Sequence, residues 1–232
     1  MKISIIIPVH NEAENIGLLI ETIKKYGHTN LQEIIVVDSP SSTDKTLEIA
    51  EKHHAIALKS QKKGRAAQMN FGASVAQGEI LYFVHADTII HPEYASDILK
   101  YVLKGYDLGC YRYRFDSSNL LLKVNSFFTR FPFIWCRGGD QTLFIRKTDF
   151  FNVGCFKEEY LIMEDYEFIQ RTNKVLKFKI IPKNVIVSAR KYKTNSYLRV
   201  QKANFTVMRM FLSGKASQQE MAETYRKMLD YR

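Results

Sequence analysis

The stretch KGRAAQMNFGASVAQGEILYFVHADT, Lys63 to Thr88, constrains the fold more than any other part of the chain. Ala66, Met69 and Ala73 recur at i, i+3 and i+7 and make one apolar helix face. Gly78 breaks that period. Ile80 to Val84 is an apolar run without alternation, the pattern of a central strand buried on both faces of a parallel sheet. The run ends at His85-Ala86-Asp87. In open α/β sheets ligands bind in the crevice beyond the carboxyl ends of the strands. Asp87 therefore falls where chemistry usually sits, and Arg65, beside Gly64, is available from an earlier connection.

The flanking sequence repeats the theme. Ile3 to Ile7, Glu33 to Val37 and Ala55 to Leu58 read as further strands. Between the first two lies a helix with Ile16, Leu19, Ile20 and Ile23 on one face, Asn11 as its candidate cap and Gly27 at its end. Thr43 or Asp44 is placed to cap a helix carrying Leu47, Ile49 and Ala50. Strand alternating with helix argues a right-handed, mostly parallel α/β sheet flanked by helices. Pro92 marks another helix start. After Gly105 the pattern changes. Leu108 to Phe115 alternates like a half-exposed strand, Thr142 to Ile145 reads as a strand, and Met163-Glu164-Asp165 opens a helix. Phe178 to Ile181 and Val185 to Val187 read as two short strands, and Tyr197 to Leu212 and Ser217 to Leu229 as closing helices. The expectation is a single domain over 1–232, with 192–232 as a C-terminal helical segment.

At 46% hydrophobic and 25% charged residues, a full-sized core is possible and the composition argues against disorder. The formal net charge of +10 points to an anionic partner, although solubility alone would also account for it. Cys110, Cys136 and Cys155 lie far apart without C-x-x-C spacing, which argues against a zinc site or disulfide framework and fits a reducing cytoplasm. No stretch reaches the ~20 apolar residues of a membrane-spanning helix.

The N-terminal IIIPVHNE, the strand ending in Asp38, GRAAQMN, HADT, GDQ and the later MED form an ordered set. Together they resemble family-2 glycosyltransferases of the GT-A fold, from Ile3 to about Arg171, and within them a bacterial subgroup with GRAAQMN, HADT, GDQ and SARR-type motifs. The last is Ser188 to Lys191 here. Each motif alone is weak, but in family order they are specific for the family.

The resemblance implies a nucleotide-binding Asp38, with Pro8, Val9, Asn11 and Glu12 lining the same pocket and Arg65, otherwise a solvated surface cation, as a further nucleotide contact. A carboxylate at a strand end can accept from a ribose hydroxyl or a uracil imide; it can also simply cap a loop. Asp87 matches the last aspartate of the family's DxD element, which implies a divalent cation, Mn2+ or Mg2+, on the diphosphate. His85 stands at the element's first acidic position, either as a ligand better suited to Mn2+ or as a supporting or core residue. Asp165 matches the general base, the group that takes the proton of a weakly acidic acceptor hydroxyl. Asp140 and Gln141 could hold sugar hydroxyls or form a tight turn. Arg190 and Lys191 could stabilise a departing diphosphate or be surface charge. Two departures from the family pattern stand out. Ser39-Pro40 replaces a glycine after Asp38, and no histidine follows His91.

The implied activity is transfer of a sugar from a nucleoside diphosphate sugar, a UDP-sugar by preference, to an acceptor hydroxyl, with inversion and metal assistance. Two alternatives remain. A sugar nucleotidyltransferase would carry a glycine-rich loop where PVHNE stands. A non-catalytic basic module binding nucleic acid or membrane would not need acids at strand ends, and no nucleic acid is expected. Finally, Phe127 to Trp135 and Tyr197 to Leu212 interleave aromatic residues with cations. Either they cover the sheet as core, or one is partly exposed and meets a membrane surface as a peripheral contact.

Overall fold

The computed structural model describes residues 1–137 and 141–230. In chain order the strands are β1 (Ile3–Val9), β2 (Leu31–Asp38), β3 (Ile56–Lys59), β4 (Ile80–Phe83), β5 (Thr88–Ile89), β6 (Leu108–Phe115), β7 (Leu143–Arg146) and β8 (Phe178–Val187). The α-helices are α1 (Ala13–Gly27), α2 (Thr46–Lys52), α3 (Arg65–Val75), α4 (Tyr94–Leu103), α5 (Leu120–Phe128), α6 (Lys147–Asn152), α7 (Glu164–Thr172), α8 (Lys191–Thr194), α9 (Tyr197–Ser213) and α10 (Gln218–Met228).

The strands form one sheet in the order β3-β2-β1-β4-β7-β6-β8-β5. The β3-β2-β1-β4 half is parallel. Strand β7 runs antiparallel to both β4 and β6, and β8 is parallel to β6. The carboxyl ends of β1, β2 and β4 therefore open on one edge, and the reversal at β7 marks where the parallel half meets the rest. Alternating side chains of β1 feed two cores. Ile5 and Ile7 join Ile16, Ile20, Tyr82 and Tyr94 on one face. Ile6 joins Val37, Met69, Phe83 and Phe168 on the other. Both faces are covered, so the central strands read as unbroken apolar runs.

Several local expectations are corrected. Asn11 does not cap α1. It sits at φ 54, and its Oδ1 accepts from the Ser42 hydroxyl (3.0 Å) and the Thr43 amide (2.9 Å). The first amide of α1, Ala13, donates instead to Asp44 Oδ2 at 2.9 Å, while Asp44 Oδ1 takes the Thr46 amide at 3.0 Å. One carboxylate thus serves the starts of α1 and α2. Strand β6 is not half-exposed throughout: Leu108 to Tyr111 are buried, because β7 and β8 flank that end.

The two short C-terminal strands are one, β8. Its pairing with β6 jumps from Ile181↔Tyr111 to Asn184↔Arg112, leaving Pro182 and Lys183 in a bulge. Proline has no amide for the ladder, so a bulge accommodates it. The bulge sends the Lys183 ammonium to Asp97 (2.6 and 2.8 Å) and Glu93 (2.7 Å) on and beside α4.

Helix α5 packs on β6 through buried Leu122 and through Asn125, which accepts from the Tyr113 hydroxyl at 2.9 Å. Its other side does not form core: Phe127 and Phe128 are exposed, as are Phe133 and Trp135 just beyond it. Helices α9 and α10 pack together around Val200, Ala203 and Leu229. Among the described residues no helix is long and apolar enough to cross a membrane.

Candidate active site

The site is built at the strand ends. Pro8 and Val9 finish β1 and pair with Val37 and Asp38 of β2. Val9 is buried, and its contribution to the crevice is its backbone: its carbonyl accepts from Ser39 N (3.0 Å) and from Gln68 Nε2 (2.7 Å). Gln68 Nε2 also reaches Val37 O at 2.7 Å. This buried glutamine staples β1 to β2 directly beneath the crevice. The sequence marked it only as part of GRAAQMN; its polar side chain on the inward face of α3 was the available signal.

Asp38 is 2% exposed. One carboxylate oxygen, Oδ2, meets the Lys59 ammonium at 2.8 Å. The other, Oδ1, is buried and has no hydrogen-bond partner among the described residues. A buried acceptor left unsatisfied costs about 1–3 kcal/mol, more when charged, so Oδ1 retains the capacity to accept a further donor. Lys59 was not singled out in the sequence. It becomes visible only through the β2–β3 register, which sets it opposite Asp38.

Glu12, Asp87 and Arg190 converge from distant parts of the chain. Arg190 follows β8, and its Nη2 lies 2.6 Å from Glu12 Oε1 and 3.2 Å from Asp87 Oδ2. Two carboxylate oxygens thus share one cationic group. Carboxylate oxygens are the ligand type that Mg2+ or Mn2+ takes, and here the Arg190 guanidinium supplies the positive charge between them. Lys191 diverges from Arg190, with its ammonium 3.2 Å from the Tyr225 hydroxyl of α10.

A second cluster lies across the crevice. Arg65, Met69, Phe83, His85, Thr142, Phe156, Glu164 and Asp165 line one cavity. Arg65 opens α3, and its Nε stands 3.3 Å from Glu164 Oε1, on a side chain only 4% exposed. The pair ties the first turn of α7 to the first turn of α3, and Asp165 stands beside it on that turn. Asp165 Oδ1 accepts from the Tyr166 amide at 2.9 Å. The Tyr166 hydroxyl reaches the Arg137 carbonyl at 2.5 Å. Thr142, which lines this cavity (φ 62), and Met163, which precedes Glu164 at the start of α7 (φ 65), hold left-handed backbone. Such conformations cost about 1–3 kcal/mol and gather at functional sites. His85 lines the cavity, as neither of its readings in the sequence required.

Gln141 is buried. Its Nε2 reaches Thr129 O at 3.2 Å, and its Oε1 has no hydrogen-bond partner among the described residues. The expectation for Asp140 lies outside the described residues. Elsewhere, His91, Glu93 and Asp97 bring ligand-type atoms within 4.8 Å of one another. The Lys183 ammonium already neutralises the two acids of that group, so it reads as a structural ion-pair cluster.

The fold is a mixed α/β sheet flanked by helices with acids at its strand ends, and a family model covers most of it. Residues 4–161 match glycosyl transferase family 2, and the chain belongs to that family. Poly(ribitol-phosphate) beta-N-acetylglucosaminyltransferase TarS of Staphylococcus aureus is 30% identical over 109 residues, covering 44% of this chain and 19% of that protein. The dolichol-phosphate mannosyltransferase of Pyrococcus furiosus is 30% identical over 113 residues, covering 47% of this chain and 32% of that one. The matches thus span well under two thirds of these relatives. Among solved structures, S. aureus TarS 1–349 superposes with a TM-score of 0.67 at 19% identity, covering 97% of this chain and 68% of that one. The mannosyltransferase PcManGT from Pyrobaculum calidifontis, in complex with GDP-Man and Mn2+, gives 0.68 at 14% identity, covering 98% and 69%. The chain has the GT-A fold.

Proposed function

We propose that this chain transfers a sugar from a nucleoside diphosphate sugar, a UDP-sugar, to an acceptor hydroxyl with inversion at the anomeric carbon. The observation that carries the reading is the buried Oδ1 of Asp38 at the end of β2, which has no hydrogen-bond partner among the described residues. TarS has been solved with UDP and with UDP-GlcNAc in this fold, which supports the donor class.

In this reading Asp38 Oδ1 accepts from the nucleoside, with Lys59 holding the other oxygen and fixing the carboxylate. The β1–α1 turn, Pro8 to Glu12, walls the nucleoside, and Asn11 braces that turn against the Ser42–Thr43 loop. Glu12 and Asp87 would hold a divalent cation. When bound, the cation supplies positive charge to the diphosphate as it leaves. The Arg190 guanidinium sits on the same two acids, so it and the cation compete for them. Arg65 holds Glu164 and so positions the first turn of α7. Asp165 takes the proton of the acceptor hydroxyl as its oxygen attacks the anomeric carbon. The bond from that carbon to the diphosphate oxygen breaks on the opposite face, and the nucleoside diphosphate departs with the electron pair. Gln141 Oε1, buried and without a hydrogen-bond partner among the described residues, suits a sugar hydroxyl.

Incubation with a panel of UDP-, GDP- and dTDP-sugars, with nucleoside diphosphate release as readout, tests the reading. Release from a UDP-sugar is the expected result. Pyrophosphate release would instead indicate nucleotidyl transfer, and no release with any donor in the presence of Mn2+ would overturn the proposal.

A further inference from the structure

Helix α5 is amphipathic the wrong way round for a helix that merely covers a sheet. Its inner side carries Leu122 and Asn125 against β6, while Val124, Phe127 and Phe128 face outward and are about half exposed. A covering helix normally turns polar residues outward. The apolar surface continues past the helix. Phe127 and Phe128 lie 5.9 Å and 6.1 Å from Phe131, and Phe131 lies 6.3 Å from Phe133, by ring centroids. Phe133 is 57% exposed and Trp135 64%. Scattered exposed apolar residues are ordinary, but a contiguous patch of this kind marks an interaction surface.

The charge around the patch selects the partner. From residue 117 to 139 the chain has no aspartate or glutamate, while Lys123 and Arg130 are exposed within it. The Arg130 guanidinium stacks 3.7 Å from the Phe127 ring centre. Aromatic bodies bracketed by cations, on a chain of net charge +10, are the residue set that settles at a membrane–water boundary carrying acidic headgroups. The patch also adjoins the site. Trp135 lies in a 3-10 turn, Ile134–Cys136, that packs on α7, and the Arg137 carbonyl just beyond it accepts from Tyr166, the neighbour of Asp165.

We propose that the outer face of α5 and the aromatic turn after it dock on an anionic lipid bilayer, bringing Asp165 to an acceptor held at that surface. The docking is independent of the transferase reading; only its use, presenting the acceptor, rests on it. UDP binding measured without vesicles therefore separates failure of one from failure of the other.

Trp135 is the only tryptophan in the chain, so its emission reports on this face without any substitution. Vesicles of phosphatidylglycerol and phosphatidylcholine at low salt should shift the emission to the blue, and acyl-brominated lipid should quench it. Vesicles of phosphatidylcholine alone should bind far less. Added salt should reverse the shift. Lys123→Gln and Arg130→Gln should each weaken partitioning about fivefold, and Phe128→Ser or Phe133→Ser roughly tenfold, with far-UV circular dichroism unchanged. No emission shift with anionic vesicles at low salt overturns the proposal. So does an equal shift on neutral and anionic vesicles. An emission already blue and shielded from aqueous quencher in a protein that sediments as a dimer overturns it in favour of a second copy on this face.

Discussion

Asp38 and Asp165 are both strand- or helix-end carboxylates, yet their surroundings differ in kind. Asp38 is buried, with one oxygen on Lys59 and the other facing the crevice without a partner among the described residues. Asp38→Asn keeps the shape but puts an amide where an acceptor is needed or opposite the Lys59 ammonium. It should weaken UDP binding by about 1.5–3 kcal/mol, the worth of a hydrogen bond to a charged group, as read by isothermal titration. Unchanged affinity would show that the nucleoside is held elsewhere. Asp165→Asn should do the reverse. Binding stays close to wild type, while transfer falls by ~10²–10⁴, the usual contribution of a general base. A variant turning over at near-wild-type rate would place the base at another residue. The strand-end acids were legible in the sequence because an apolar run stopping at an acid is a one-dimensional pattern. Gln68, Lys59 and the pairing of Arg190 with Glu12 were not, since each contact joins residues that only the sheet brings together.

At the scale of elements, the parallel half was readable for the same reason. Runs buried on both faces carry their own signature, whereas β8 carried a misleading one, a proline that looked like a break and is a bulge. The bulge has a consequence for stability. Lys183 bridges Glu93 and Asp97, and buried Asp97 also accepts from the Tyr111 hydroxyl at 3.0 Å. Burial alone would lower the pKa of Lys183, but its bonds to Asp97 and Glu93 outweigh this and raise it. Lys183→Met strands the Asp97 carboxylate. Breaking a fully buried pair costs about 3–5 kcal/mol, and since Lys183 is one-third exposed the loss should be nearer ~2 kcal/mol by urea denaturation. A change within 0.5 kcal/mol, on the order of an ordinary surface substitution, would mean the pair is already screened by solvent.

His91 belongs to the same cluster. Burial first, and the nearby Lys183 charge second, hold its pKa below the ordinary 6.5. The folded state therefore binds fewer protons than the unfolded state between the two values. The stability linked to His91 is complete above pH 6.5 and is lost as pH falls through the depressed folded value. Protonation would also remove the Nδ1 acceptor of the Glu93 amide. Comparison of wild type and His91→Gln at pH 7.5 and pH 5 should show a flatter acid limb in the variant; parallel limbs would exclude the linkage.

Over the whole molecule, Arg190 joins the two halves of the chain. It follows the last strand of the sheet, yet its guanidinium bridges Glu12, after the first strand, and Asp87, after the fourth. Those acids would repel each other without it, and the same pair is the set proposed to hold a divalent cation. Arg190 and the cation therefore answer the same local need for positive charge. Arg190→Gln removes a half-exposed guanidinium from two largely buried acids, at a cost of about 1 kcal/mol given the solvent screening at Arg190. Its Tm in chelator should fall by no more than about 2–4 °C, given the entropy of unfolding of a chain this size. Mn2+ alone should then stabilise Arg190→Gln more than wild type, because the cation no longer competes with a guanidinium for Glu12 and Asp87. UDP with Mn2+ at a hundredfold over its Kd should raise the wild-type Tm by about 5–10 °C, from ~2.7 kcal/mol of mass-action stabilisation. In Asp87→Ala most of the Mn2+-dependent part should vanish while the part seen in chelator survives. Equal loss with and without metal would instead place Asp87 directly on the ligand or in support of the fold. If Mn2+ shifts neither wild type nor Arg190→Gln, with or without UDP, then Glu12 and Asp87 hold Arg190 and no metal, and the positive charge at the diphosphate comes from the protein's own guanidinium.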